Sequence, residues 1–216
     1  MKHIVVLISG RGSNLQALLD AARHEDWEHA YGLRVAAVLS NRADAAGLAL
    51  AREAKIPTQV LPHEQYAGRE AFDAALADAI ESHHPTVVVL AGFMRVLSRA
   101  FVERFYGRLI NVHPSLLPAF PGLATHRQAL AAGVRVHGAT VHFVASVVDA
   151  GPIIAQGVVT VLPDDDEESL ARRVLAVEHQ LLPRCVSLVA RGEIVLEAGR
   201  VRTPPGVAAQ LALLAP

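Results

Sequence analysis

Four short aliphatic runs constrain this chain more than anything else in it. Residues 4–8, 35–39, 87–90 and 109–112 are too short for helices and largely apolar, as strands buried on both faces should be. Between them, residues 15–23, 43–54 and 69–82 repeat alanine and leucine at helical spacing over charged positions. Strand and helix in alternation predict an α/β fold: a Rossmann-like open, mostly parallel sheet with helices on both faces. Residues 141–144 and 153–162 read as further strands, Asp164-Asp165-Asp166 as a solvated turn, and Glu167 to about Ala190 as a long helix. Residues 194–196 and 199–201 predict a small C-terminal hairpin, with a loosely held Pro204-Pro205-Gly206 tail behind it. No linker-like stretch or internal repeat divides the 216 residues, so one domain over 1–216 is expected.

Composition excludes several function classes. At 52% hydrophobic and 19% charged, the chain can bury a substantial core. Its net charge is −1 and no Lys/Arg run stands out, so no nucleic-acid partner is expected. No apolar run approaches the ~20 residues of a spanning helix, and the short apolar N-terminus reads as a strand and not a secretory signal. Cys185 is the only cysteine, which rules out an intrachain disulfide and fits a cytoplasmic location.

The first strand runs into Ser9-Gly10-Arg11-Gly12-Ser13-Asn14-Leu15. Glycines there permit a tight turn, and the free N–H groups of a helix start can hold an anion. A dinucleotide fingerprint would want glycine where Leu15 stands and an acid closing the second strand, which ends in Ser40-Asn41. A single phosphate is favoured over NAD, and an unliganded strand–helix turn fits the loop equally well.

Asn111 and His113, in Asn111-Val112-His113-Pro114, are two apart and so share one face of a strand. Pro114 cannot continue a central strand, which sets the pair at the carboxyl end where open α/β sheets bind ligands. An amide donor and an imidazole there suit a carbonyl that becomes a tetrahedral oxyanion. Two polar side chains satisfying loop backbone is the alternative. Asp149 stands in a loop before Gly151-Pro152; in reach of His113 it would orient the imidazole and favour its charged form, and an ordinary Asx turn remains open. His137 and His142 match no standard zinc spacing, so no metal is expected, and His142 reads as a neighbour of the site. His63, His83 and His84 read as surface residues, and Trp27 and Tyr31 as packing or loop-capping groups.

Four stretches in order carry a resemblance: residues 7–16, Leu90-Ala91-Gly92-Phe93-Met94-Arg95, residues 111–118 and Asp149-Ala150-Gly151-Pro152. Together, over about residues 2–190, they look like the phosphoribosylglycinamide formyltransferase family, folate-dependent enzymes of purine biosynthesis. The resemblance implies that Asn111, His113 and Asp149 are catalytic. It implies that Gly12, Ser13, Asn14 and Glu178 bind glycinamide ribonucleotide. Arg69, Met94, Arg95, Val96, Leu97 and Asn111 would bind 10-formyltetrahydrofolate as co-substrate, the 94–97 segment largely through backbone groups. The phosphate would fall to the N-terminal half and folate and catalysis to the C-terminal half, with residues 146–151 closing over the pterin. A cis Leu117–Pro118 bond and a monomer or homodimer acting on small molecules are also implied. Ala119, Ala124 and Leu175 depart from residues common in the family, a basic residue, a histidine and Lys or Gln respectively, so weaker substrate affinity is expected. The related methionyl-tRNA formyltransferases and formyltetrahydrofolate deformylases usually carry extra domains not seen in this sequence. A phosphate- or folate-binding module without catalysis is the reading from another class.

Overall fold

In the computed structural model, which describes residues 1–208 and 211–214, the aliphatic runs become the centre of one sheet. The elements follow in chain order. They begin with β1 (Lys2–Ile8), α1 (Ser13–His24), α2 (Trp27–Tyr31), β2 (Leu33–Ser40), α3 (Gly47–Glu53) and β3 (Thr58–Val60). Next come α4 (Arg69–Glu81), β4 (Pro85–Leu90), α5 (Arg99–Arg104), β5 (Leu109–His113), α6 (Thr125–Ala131), β6 (Val136–Phe143) and β7 (Ile153–Thr160). The chain closes with α7 (Glu167–Arg191), β8 (Val195–Glu197), β9 (Arg200–Arg202), α8 (Pro205–Ala208) and β10 (Ala212–Leu214).

The strand order is β10-β7-β6-β5-β4-β1-β2-β3, and among the described strands only β6 runs against the others. Alternate residues of the central strands feed two cores, as a period of two requires. Ile4, Val6, Ile8, Val87 and Val89 pack with α1, α3 and α7, while Val5, Leu7, Val88 and Leu90 pack with α4 and α5. Each such side chain, fully buried, is worth about 1.5–3 kcal/mol. The fold class is therefore the predicted one, including the hairpin, which is β8–β9.

Helix α7 is set by its ends. Asp166 and Ser169 form a reciprocal capping box, and Gly192 ends the helix in the left-handed region at φ 83°. Three expectations need correction. Asp165 is not merely solvated: its carboxylate accepts from Arg173, Ser169 and the Leu162 amide. The strand expected over residues 141–144 begins at Val136, because the ladder with β7 extends through its polar half while β5 pairs only from Thr140 onward. Beyond the hairpin, the described residues form α8 and β10, and β10 pairs with β7 beside a buried Leu211. Trp27, 1% exposed, sits in the core, and His63 is half-buried against Asn41 rather than on the surface.

Strand order reverses between β1 and β4, the switch point where open α/β sheets form a crevice. The loops after β1 and β4 flank it. Further along the same face as α4 and α5, residues Asn111, His113, Thr140, His142 and Gln156 replace the aliphatic pattern, aligned across β5, β6 and β7. Loops rather than a helix cover this polar stretch.

Candidate active site

At the switch point the loop after β1 is fixed by its glycines. Gly12 caps α1 with φ 81°, and a Cβ there would lie 2.6 Å from the Gly47 Cα. Both the turn and the close approach of α3 demand glycine. Ser13 opens the helix, and Asn14, one residue on, is buried and donates from Nδ2 to Glu178 Oε2 at 2.7 Å. Asn14 Oδ1 is buried with no hydrogen-bond partner. Burial pushes the Glu178 carboxyl up, and the Asn14 hydrogen bond only partly offsets it. The crevice thus holds a run of helix-start amides, an open amide oxygen and a poorly solvated carboxyl.

Asn111 and His113 share a face of β5, as their spacing requires. The partner strand supplies His142 opposite Asn111 and Thr140 opposite His113. Asn111 Nδ2 lies 3.3 Å from His142 Nε2, while His142 Nδ1 lies 3.0 Å from the Phe143 carbonyl. These contacts agree on one arrangement: His142 donates from Nδ1 and accepts at Nε2, a neutral ring, and burial lowers its pKa in keeping with that. One Asn111 amide proton is left to face the site.

His113, 5% exposed, has an oxygen at each ring nitrogen: Asp149 Oδ2 is 3.4 Å from Nδ1, and the Phe120 carbonyl is 3.1 Å from Nε2. Asp149 reaches it because the chain leaving β6 folds back over the sheet. Phe143 pairs with Ile110, well short of His113, and β7 begins beside His142, so residues 144–152 leave and return at the same end and reach His113 only by folding out over the face. Gly151 makes this path possible; a Cβ there would stand 1.7 Å from the Phe143 carbonyl oxygen. Asp149 itself has φ 54°, which Asp tolerates better than most residues. Its Oδ2 also accepts from the Gly122 amide at 2.8 Å, tying this loop to the one after β5.

A family model for formyl transferases matches residues 2–186. The phosphoribosylglycinamide formyltransferase of Escherichia coli (strain K12) is 50% identical over 192 residues, 89% of each chain. The chain belongs to the formyl transferase family. The trifunctional purine biosynthetic protein adenosine-3 of Drosophila melanogaster is 47% identical, and this chain spans 14% of that protein's length. Among solved structures, glycinamide ribonucleotide transformylase 1 from Symbiobacterium toebii superposes with a TM-score of 0.88 at 49% identity, covering 94% of both chains. A formyltetrahydrofolate deformylase from Pseudomonas syringae pv. tomato str. DC3000 matches at TM-score 0.84 and 29% identity, over 94% of this chain and 65% of that one. These likenesses support formyl transfer in purine biosynthesis and a formyl-folate co-substrate.

Met94 and Val96 are exposed, 72% and 54%, beside the crevice, and the Met94 amide donates to Ser9 Oγ at 2.8 Å. Arg95 lies over the Phe72 ring at 5.3 Å, and Leu97 packs on the second core. Arg69 starts α4 in solvent, 4.0 Å from Glu70. Ala119 and Ala124 are exposed and Leu175 is half-buried. The Leu117–Pro118 bond is cis. Among the described residues no group of three His, Cys, Asp or Glu is arranged to hold a metal, and no helix is long and apolar enough to cross a membrane.

Sequence reasoning missed the supports. Thr140 Oγ1 donates to the Ser115 carbonyl and accepts from the Leu117 amide, and Gln156 Nε2 donates to the Leu117 carbonyl. Ser9 joins Asn41 to Met94. The only signal for Thr140 and Gln156 is polarity in a strand, which the pairing explains and the sequence leaves ambiguous.

Proposed function

We propose that this chain transfers the formyl group of 10-formyltetrahydrofolate to the amine of glycinamide ribonucleotide, as a single domain over residues 1–216. What carries the reading is Asn111 and His113 on one face with Asp149 3.4 Å from the imidazole. The amine attacks the formyl carbon, and the carbonyl oxygen gains negative charge. Asn111 donates its free amide proton to that oxygen, and His113 shares the load through a ring N–H. As the bond from N10 to the formyl carbon breaks, His113 gives N10 a proton, while Asp149 takes up the proton lost by the attacking amine, directly or through water. Contacts to such groups tighten when substrate is bound, so a 3.4 Å separation in the free enzyme is compatible with this role.

Gly12, Ser13 and Asn14 hold the phosphate at the start of α1, and Glu178 receives the glycinamide end. Arg69 and the 94–97 backbone, with Asn111, take the folate. Enzyme, glycinamide ribonucleotide and 10-formyltetrahydrofolate are incubated together, and tetrahydrofolate release is followed. Release that depends on both substrates is expected. No release, with a control enzyme active in the same mixture, would overturn the reading.

A further inference from the structure

Residues 94–97 have neither helix nor strand of their own, yet a segment that binds through backbone groups must be held still. The hold comes from outside. At one end the Met94 amide donates to Ser9 Oγ at 2.8 Å, and Ser9 is 7% exposed. At the other, the Ser98 amide donates to Asp73 Oδ2 at 2.5 Å, with both residues buried. Between them Arg95 lies over Phe72, the neighbour of Asp73 on α4. Asp73 is 2% exposed, far more buried than a carboxylate on a helix of this kind needs to be for solubility, and it spends one oxygen on this single amide. Arg69 stands one turn earlier on the same helix. Helix α4 therefore carries a candidate folate contact and the anchor of the other one.

We propose that Asp73 is a positioning residue for the folate site: it fixes the backbone of residues 94–97 by holding their C-terminal end at Ser98. The inference rests on the folate reading of that segment. Ser98 also caps α5, accepting from the Phe101 amide, so a purely structural role for Asp73 is the competing account. The two differ in selectivity. A structural lesion lowers stability and degrades both substrates' binding alike, whereas a positioning lesion falls on folate alone.

Asp73→Ala and Asp73→Asn are compared with wild type by calorimetric titration of 10-formylfolate and, separately, glycinamide ribonucleotide, after circular dichroism shows each folded. Asp73→Ala is expected to weaken folate about tenfold, the usual scale for one buried hydrogen bond to a charged group, with glycinamide ribonucleotide within twofold. Asp73→Asn keeps an oxygen for the Ser98 amide and should recover most of the folate affinity. Should the alanine variant not fold, Asp73→Ser, whose hydroxyl falls short of Ser98, carries the same expectation. Unchanged folate affinity, or equal loss for both ligands, overturns the proposal. Wild type that binds no folate overturns the functional reading itself, and so the two failures are told apart.

Discussion

Among individual residues, Asn111, His113 and Asp149 owe their geometry to different amounts of structure. Strand alternation alone aligns the first two, but only the loop folding out after β6 brings Asp149 to the imidazole. Asn111→Ala and Asp149→Asn should each lower kcat by about 10²–10³, with folate binding kept in Asp149→Asn. Steady-state kinetics with a folate titration check this, and near-normal turnover in both variants would remove the assignment. Glu178 gives a different test, because burial has raised its carboxyl pKa and so penalises the ionised form near neutral pH. Glu178→Gln keeps an oxygen for Asn14 and loses the charge. It should melt at or above the wild-type temperature while the KM for glycinamide ribonucleotide rises about tenfold. A lower melting temperature with unchanged KM would mean that the carboxyl serves the fold.

At the level of elements, β6 shows what a sequence hides. Its inner half alternates Ala139, Val141 and Phe143 into the core with Thr140 and His142 toward the site. Only residues 141–144 look apolar enough to be noticed, and the ladder from Val136 becomes visible only through its pairing with β7. Helices α5 and α6, of six and seven residues, are too short for a helical period to declare itself. The central aliphatic strands, by contrast, were legible because burial on both faces leaves no room for polar residues. Gly138 tests the ladder directly, since a Cβ there would stand 1.9 Å from the Gly157 carbonyl oxygen of β7. Gly138→Ala must push the two strands apart, and urea denaturation should register a loss of about 3 kcal/mol or more. A loss under about 0.5 kcal/mol, the scale of ordinary surface changes, would show that β6 and β7 yield easily there.

For the whole molecule, buried histidines set the acid limit of stability. Burial holds His137 down to about 4, and His126 and His142 are lowered for the same reason. Between pH 6.5 and 4 the unfolded chain binds a proton on His137 that the folded chain refuses, so stability falls as pH falls through that window. Glu178 acts in the other direction: the folded state keeps its proton to higher pH than the unfolded state does, and that contribution fades as pH rises. Denaturation in urea at pH 7 and pH 5 should differ by about 2 kcal/mol from His137 alone. His137→Gln should flatten the difference, and a wild-type curve already flat across this range would contradict the burial argument.

The hydrogen bond from the Gly122 amide to Asp149 has a use beyond its place in the site. It lies at the exposed rim, joins two loops distant in sequence, and ends on the same oxygen that faces His113. An amide proton bound to a carboxylate resonates well downfield of its neighbours, so in a nitrogen–proton NMR spectrum Gly122 becomes a single reporter peak for the closed pair of loops. Its movement on adding either substrate would show, without any turnover, whether that substrate is felt at the catalytic end of the sheet.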